Sequence, residues 1–140
     1  MKVSLRRLVW NRAQRRCEYC LIHQDQDELP HHVDHIIAIK HRGPTSESNL
    51  ALACANCSLG KGSNIAGSDI RSGKLVRLFH PRLDVWEHHF RWAGARLRGI
   101  TAIGRATVAV LNINQPDRVA LRVELIAQGV FPPRAKDESP

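Results

Sequence analysis

Two Cys-x-x-Cys pairs, Cys17/Cys20 and Cys54/Cys57, constrain this chain more than any other feature. Each pair can form a knuckle whose thiolates point at one cation. Two knuckles complete a closed tetrahedral site, the geometry of structural zinc. The pairs are separated by 33 residues, so the insert between them must fold back. Redox dithiols and unrelated buried thiols are the alternatives, but a redox pair usually precedes a helix in a βαβ setting, which is missing here. A core of fewer than about fifty residues buries too little surface to hold two distant segments together. Zinc contributes its binding free energy directly to folding. Four thiolates leave no open position for water or substrate, so any chemistry belongs to the insert.

The 140 residues fit one domain, or a small domain plus an appendage. The net charge of +8 makes a polyanion the first partner to consider. Charge alone does not choose between DNA, RNA and anionic lipid. An apolar fraction of 43% supports a folded core. Aromatics at 5% make ring-stacking on single-stranded bases a less obvious mode. No apolar run approaches the roughly 18 residues of a membrane span, and the N-terminal segment lacks the apolar stretch of a signal peptide. The expectation is a cytoplasmic chain, where four cysteines are metal ligands rather than disulfides.

Charge and pattern divide the chain into four parts. Residues 1–16 carry six Lys/Arg and no acid. Leu5, Leu8, Val9 and Ala13 recur there at helical spacing, which predicts a basic amphipathic helix. Its arginine face is either solvated or in contact with phosphates. Residues 17–65 hold three basic residues against six acids. A strand is expected over 32–37, a loop around Gly43-Pro44, a second strand over 50–53, and a short helix within 54–64. Gly60 and Gly62 weaken that helix. Residues 66–131 read as a C-terminal α+β extension: a strand over 75–79, a helix around 85–93, and another strand over 97–100. Two more helices follow, one capped by Thr101 and one opened by Pro116. Residues 132–140 read as a disordered tail.

The insert contains His32-Val33-Asp34-His35-Ile36-Ile37 and Asn49-Leu50. Asp34 and His35 are adjacent on a strand, so they point to opposite faces, yet near a bend both can reach one substrate. A carboxylate suits a hard divalent cation such as Mg²⁺, and a neutral imidazole suits removal of a proton from water. These are the parts of one-metal phosphodiester hydrolysis.

The pattern Cys-x-x-Cys, Asp34-His35-Ile36, Asn49-Leu50, Cys-x-x-Cys, Lys61-Gly62 resembles the HNH endonucleases, the zinc-knuckle branch of the ββα-metal nucleases. The resemblance covers roughly residues 15–65. Leu78-Phe79-His80-Pro81-Arg82, Trp86, His89-Phe90 and Gly104-Arg105-Ala106-Thr107 also resemble the C-terminal extension of one bacterial HNH subfamily. The resemblance implies an α+β fold with a two-stranded ribbon and one helix as the nuclease core, zinc at its base and the N-terminal helix packed on it. It implies His35 as general base, Asp34 as ligand of Mg²⁺ or another divalent cation, and Asn49 as the residue that holds the loop so that His35 is oriented. Cys17, Cys20, Cys54 and Cys57 would bind structural zinc, and Lys61 would lie near the DNA backbone. Lys40, Arg42, Arg12 and Arg16 are further candidate DNA contacts. The family usually has His or Asn directly after the last cysteine as a second metal ligand; this chain has Ser58. Two functions follow: a metal-dependent endonuclease cutting double-stranded DNA, or a zinc-containing DNA-binding module weakened in catalysis at Ser58. Composition leaves RNA open as a target.

Overall fold

A computed structural model describes residues 1–134 of the chain; the tail expected to be disordered lies, from residue 135 on, outside the described residues. The architecture is α+β. Its elements in order are α1 (Val3–Arg12), β1 (His32–His35), β2 (Leu50–Ala53), α2 (Ala55–Lys61), β3 (Ala66–Ser68), β4 (Leu75–Arg77), β5 (Phe90–Ala93), β6 (Arg96–Gly99), α3 (Ala102–Val110) and α4 (Pro116–Ala127). The strands form three separate antiparallel ribbons, β1–β2, β3–β4 and β5–β6.

The first ribbon pairs Asp34 with Ala51 and His35 with Leu50. All four residues of β2 are buried because both of its faces are covered. Leu50 and Leu52 point one way and meet Val9 of α1, with Leu5, Trp10 and Val33 around them. Ala53 points the other way, into the core that contains the cysteines. Each fully buried Leu or Val contributes roughly 1.5–3 kcal/mol over exposure, so this small cluster suffices to seat α1 on the ribbon.

The short helix α2 forms despite its glycines. Its N-cap is Cys54, whose Sγ accepts from the backbone N–H of Cys57. Gly60 is required by a close approach: a Cβ there would lie 2.5 Å from the carbonyl oxygen of Leu111. The residue that weakens the helix intrinsically therefore lets it dock against the end of α3.

The extension departs from expectation over residues 85–93. A helix is expected there, but Trp86–His88 makes a single 3₁₀ turn and Phe90–Ala93 is strand β5. The spacing of Trp86 and Phe90 imitates one helical turn. The two-residue spacing of Phe90 and Trp92 wins, because β6 supplies a partner: Trp92 pairs with Leu97 and Phe90 with Gly99. Trp86 then packs on both rings, at 5.1 Å from Phe90 and 6.1 Å from Trp92 between centroids. Strand β3 is an element the sequence pattern does not announce; it is three residues long and contains Gly67.

Residues 66–131 share one core with the knuckles. Cys17, Tyr19, Cys20, Ile22, Cys54 and Cys57 form a continuous buried cluster with Phe79, Phe90, Leu97, Leu111, Ile113, Leu125 and Phe131. Polar contacts lock the same junction. Trp86 Nε1 donates to the Tyr19 carbonyl at 2.9 Å, Arg82 pairs with Glu18, and Arg118 pairs with Asp27 at 2.8 Å. Among the described residues no helix is long and apolar enough to cross a membrane.

Inside the extension, Arg105 pairs with the fully buried Asp69 through two bonds of 2.7 and 3.1 Å. Arg105, aided by Ser72, holds the Asp69 carboxyl well below the usual carboxylate range. A group whose pKa is depressed on folding stabilises the fold above its unfolded pKa, about 4 for Asp, and loses that contribution as pH falls toward the folded value. The melting temperature of the wild type is therefore expected to exceed that of Asp69→Asn at pH 6. The gap should narrow as pH is lowered from 4 to 3; a gap that is constant or widens on acidification would show that the carboxylate is not the source.

Candidate active site and metal centre

The four cysteine sulfurs lie within 4.8 Å of one another and all four residues are buried. A tetrahedron with Zn–S of about 2.3 Å has S···S edges of about 3.8 Å; the Cys20 and Cys54 sulfurs are 3.7 Å apart. The backbone N–H of Cys20 points to Cys17 Sγ at 3.5 Å, and that of Cys57 to Cys54 Sγ at 3.3 Å. No disulfide joins them. Burial pushes the Cys17 thiol well up and the neighbouring sulfurs push Cys57 well up, while hydrogen bonds from Cys17 hold Cys20 well down and Cys54 down. Four thiolates held this close would need a cation in their midst, and this donor set fits zinc.

Helix α4 brings two arginines to the same core. Burial weighs against the Arg118 charge, but Asp27 and the thiolates of Cys54 and Cys20 hold its guanidinium above the usual range. Arg122 is fully buried and bonds only neutral acceptors: the carbonyls of Ala95 at 2.7 Å and Ile113 at 3.0 Å, and Asn114 Oδ1 at 3.1 Å. Burial pulls its pKa down, opposed by Cys20, Cys57 and Cys54. A zinc–tetrathiolate centre would carry a formal charge of about −2, which would offset a buried cation that has no carboxylate partner among the described residues.

The second set of residues surrounds the end of the β1–β2 ribbon. Asn49 is buried and closes the loop that links the strands. Its Oδ1 accepts from the Ile37 N–H at 2.9 Å, and its Nδ2 donates to the carbonyls of Ile37 at 3.0 Å and Pro44 at 2.8 Å. Three bonds from one amide fix both arms of the loop. Gly43 lies inside this clamp, where a Cβ would sit 1.7 Å from the Ile37 carbonyl oxygen.

His35 is half-buried and points toward the loop, with Nε2 2.8 Å from Thr45 Oγ1. Asp34 is on the opposite face of β1. Its charge reaches Lys61 and the Tyr19 hydroxyl, so it faces α2 and the knuckle. Lys61 is 3% exposed and donates to the Ile36 carbonyl at 2.7 Å. Burial pulls its pKa down, opposed by Asp34. The expectation of Lys61 on a DNA backbone is therefore corrected: its ammonium is inside, bracing the residue after His35. Ser58 is half-buried, one turn before Lys61 on α2.

The other candidate DNA contacts are divided. Lys40 and Arg42 are exposed on the loop after β1, with Arg42 in the left-handed region at φ 66°. Arg12 and Arg16 are half-buried, and each commits a guanidinium nitrogen to a carbonyl: Arg12 Nη2 to Leu50 at 2.6 Å and Arg16 Nη1 to Leu21 at 2.8 Å. His31 is buried on the Ile22 carbonyl, whereas His32 and His41 are exposed. Two residues at the sites escape sequence reasoning. Thr45 has no signal beyond its place after a Gly-Pro turn. Arg122 looks like any arginine on an amphipathic helix.

The arrangement is a two-stranded ribbon followed by a helix, stapled by a four-cysteine centre, with an Asp-His pair at the ribbon's end. Residues 17–64 match the family model for HNH endonuclease. No curated protein and no solved structure matches the chain.

Proposed function

We propose that the protein is a metal-dependent endonuclease that hydrolyses phosphodiester bonds of double-stranded DNA. The observation that carries this reading is the His35–Thr45 contact within a loop clamped by Asn49. If Nε2 carries the proton and donates to Thr45, the free lone pair is on Nδ1, where it can accept a proton from water. Asn49 acts at one remove, as a positioning residue. Asp34, with Ser58 as a weaker second donor, would hold Mg²⁺ or a similar ion. Such an ion supplies positive charge for a phosphate and its leaving oxygen. Attack in line would leave a 3′-hydroxyl and a 5′-phosphate, as the family resemblance implies.

Basic surface supports a polyanionic substrate. On the β5–β6 ribbon, Arg91 stands directly opposite Arg98, both exposed, and Arg96 follows on the same face. Like charges facing each other across a ribbon destabilise it, which a phosphate backbone would relieve. The segment with the Asp-His pair is itself acidic by residue count, which strengthens its need for a divalent ion.

Ser58 favours a second reading, a DNA-binding module with weak or no turnover, because a lone hydroxyl is a poorer ligand than an imidazole or amide. One assay separates them. Supercoiled plasmid is titrated with Mg²⁺ or Mn²⁺, wild type against Asp34→Asn and Ser58→Asn. Nicking that needs the ion, falls by about a hundredfold or more in Asp34→Asn and rises in Ser58→Asn supports the enzyme. Plasmid retained but never nicked by wild type, at any ion concentration, supports the module.

A further inference from the structure

The endonuclease reading leaves a cleft among the described residues without a role. Its volume is about 420 Å³, within the roughly 300–1,000 Å³ of small-ligand sites. It opens where α1, the first knuckle and the extension meet. Leu21, Phe79 and Trp86 give it apolar and aromatic walls, and Arg12, Arg16 and Arg82 line it as well.

Among the described residues the charges in this cleft do not balance. Glu18 and Asp84 line it, but both are engaged. Glu18 accepts from Arg82 and from the Leu52 N–H, and Asp84 takes Arg77 at 2.7 and 2.9 Å and the His80 N–H at 2.8 Å. The third acid, Glu87, is exposed. Arg12 and Arg16 bond only the carbonyls of Leu50 and Leu21, and the buried Nε of Arg12 has no hydrogen-bond partner among the described residues. Burial lowers the pKa of Arg12, opposed by Glu47, and burial together with the nearby Arg12 charge brings Arg82 down to about 10. An anion placed between them would restore what burial removes.

We propose that this cleft is a nucleotide subsite, with the base against the apolar wall and the phosphate on Arg12 and Arg16. Arg12 also fixes its place relative to the catalytic loop, since it bonds the carbonyl of Leu50, the residue paired with His35. On the endonuclease reading, the occupant is a nucleotide of the bound strand that has left the stack near the cut. A free nucleotide carries the same chemistry.

The test uses the full zinc-loaded chain with His35→Ala, so that DNA stays intact. Calorimetry compares deoxyadenosine monophosphate with deoxyadenosine and with inorganic phosphate. Val85 is 49% exposed and lines the cleft, so Val85→Trp fills it without entering the core. The monophosphate should bind about tenfold or more tightly than either part, and Val85→Trp should weaken it by about tenfold, a difference of about 1.4 kcal/mol, with zinc content and melting temperature unchanged. Glu87→Gln, which removes the exposed acid, should tighten it. A duplex with one unpaired adenosine that loses affinity in Val85→Trp, beside a fully paired duplex that does not, assigns the site to the strand. Loss confined to the free monophosphate assigns it to a soluble nucleotide. Phosphate binding as well as the monophosphate, or equal binding by wild type and Val85→Trp, overturns the proposal. Monophosphate binding, beside a wild type that nicks no plasmid at any Mg²⁺ or Mn²⁺ concentration, keeps the subsite and removes the nuclease reading; nicking by wild type without monophosphate binding does the reverse.

Discussion

Cys54→Ser is expected to unfold the whole chain, including the extension. A structural zinc site of this type contributes about 10–16 kcal/mol of binding free energy, against a net stability of about 5–15 kcal/mol for a domain. Losing one of four ligands therefore weakens a contribution as large as the total. The sulfur of Cys54 also caps α2, and the extension packs on the same sulfurs. Circular dichroism should show loss of the cooperative melt in Cys54→Ser and in wild type treated with a strong chelator. Elemental analysis of the wild type should give one zinc per chain. A Cys54→Ser protein that melts cooperatively within a few degrees of wild type would mean that apolar packing alone holds the knuckles.

His35→Ala is expected to lower the rate of plasmid nicking by about 10²- to 10⁴-fold, the usual contribution of a positioned general base. The fold should be indifferent. His35 is half-buried and its side chain makes one hydrogen bond, to Thr45. Zinc content and melting temperature should therefore match wild type, which separates a chemical loss from a structural one. Equal nicking rates for the two proteins, from preparations free of contaminating nuclease, would remove His35 from the reaction.

What the sequence discloses follows the range of the interactions involved. The cysteine spacing points to a metal staple because knuckle geometry is local. The strand over 50–53 and the helix after Thr101 are legible because their signals, a short apolar run and a capping hydroxyl, also lie within the element. The strand at Phe90 is not legible, because its decisive partner is β6 and its helical imitation is local. Lys61 reads as a surface cation for a similar reason: nothing in Lys61-Gly62 says that a carbonyl 25 residues upstream will take the ammonium inside. Asp34, His35 and Asn49 stand out by their order and spacing. Thr45 and Arg122 do not, since each acquires meaning only from the residues that tertiary structure sets beside it.

The junction between knuckles and extension has a consequence for the order of events during synthesis. Asp27 waits for Arg118, and Gln26 for the carbonyl of Val130. Phe131 completes the core that also surrounds the cysteines. A nascent chain that has delivered only its first seventy residues from the ribosome carries every residue proposed for catalysis, yet lacks the surfaces that cover the metal site. Vectorial synthesis thus delivers the loop proposed for catalysis before the segments that hold it. A ribosome-bound fragment that stops short of α4 therefore lacks the packing on which the proposed nuclease loop rests.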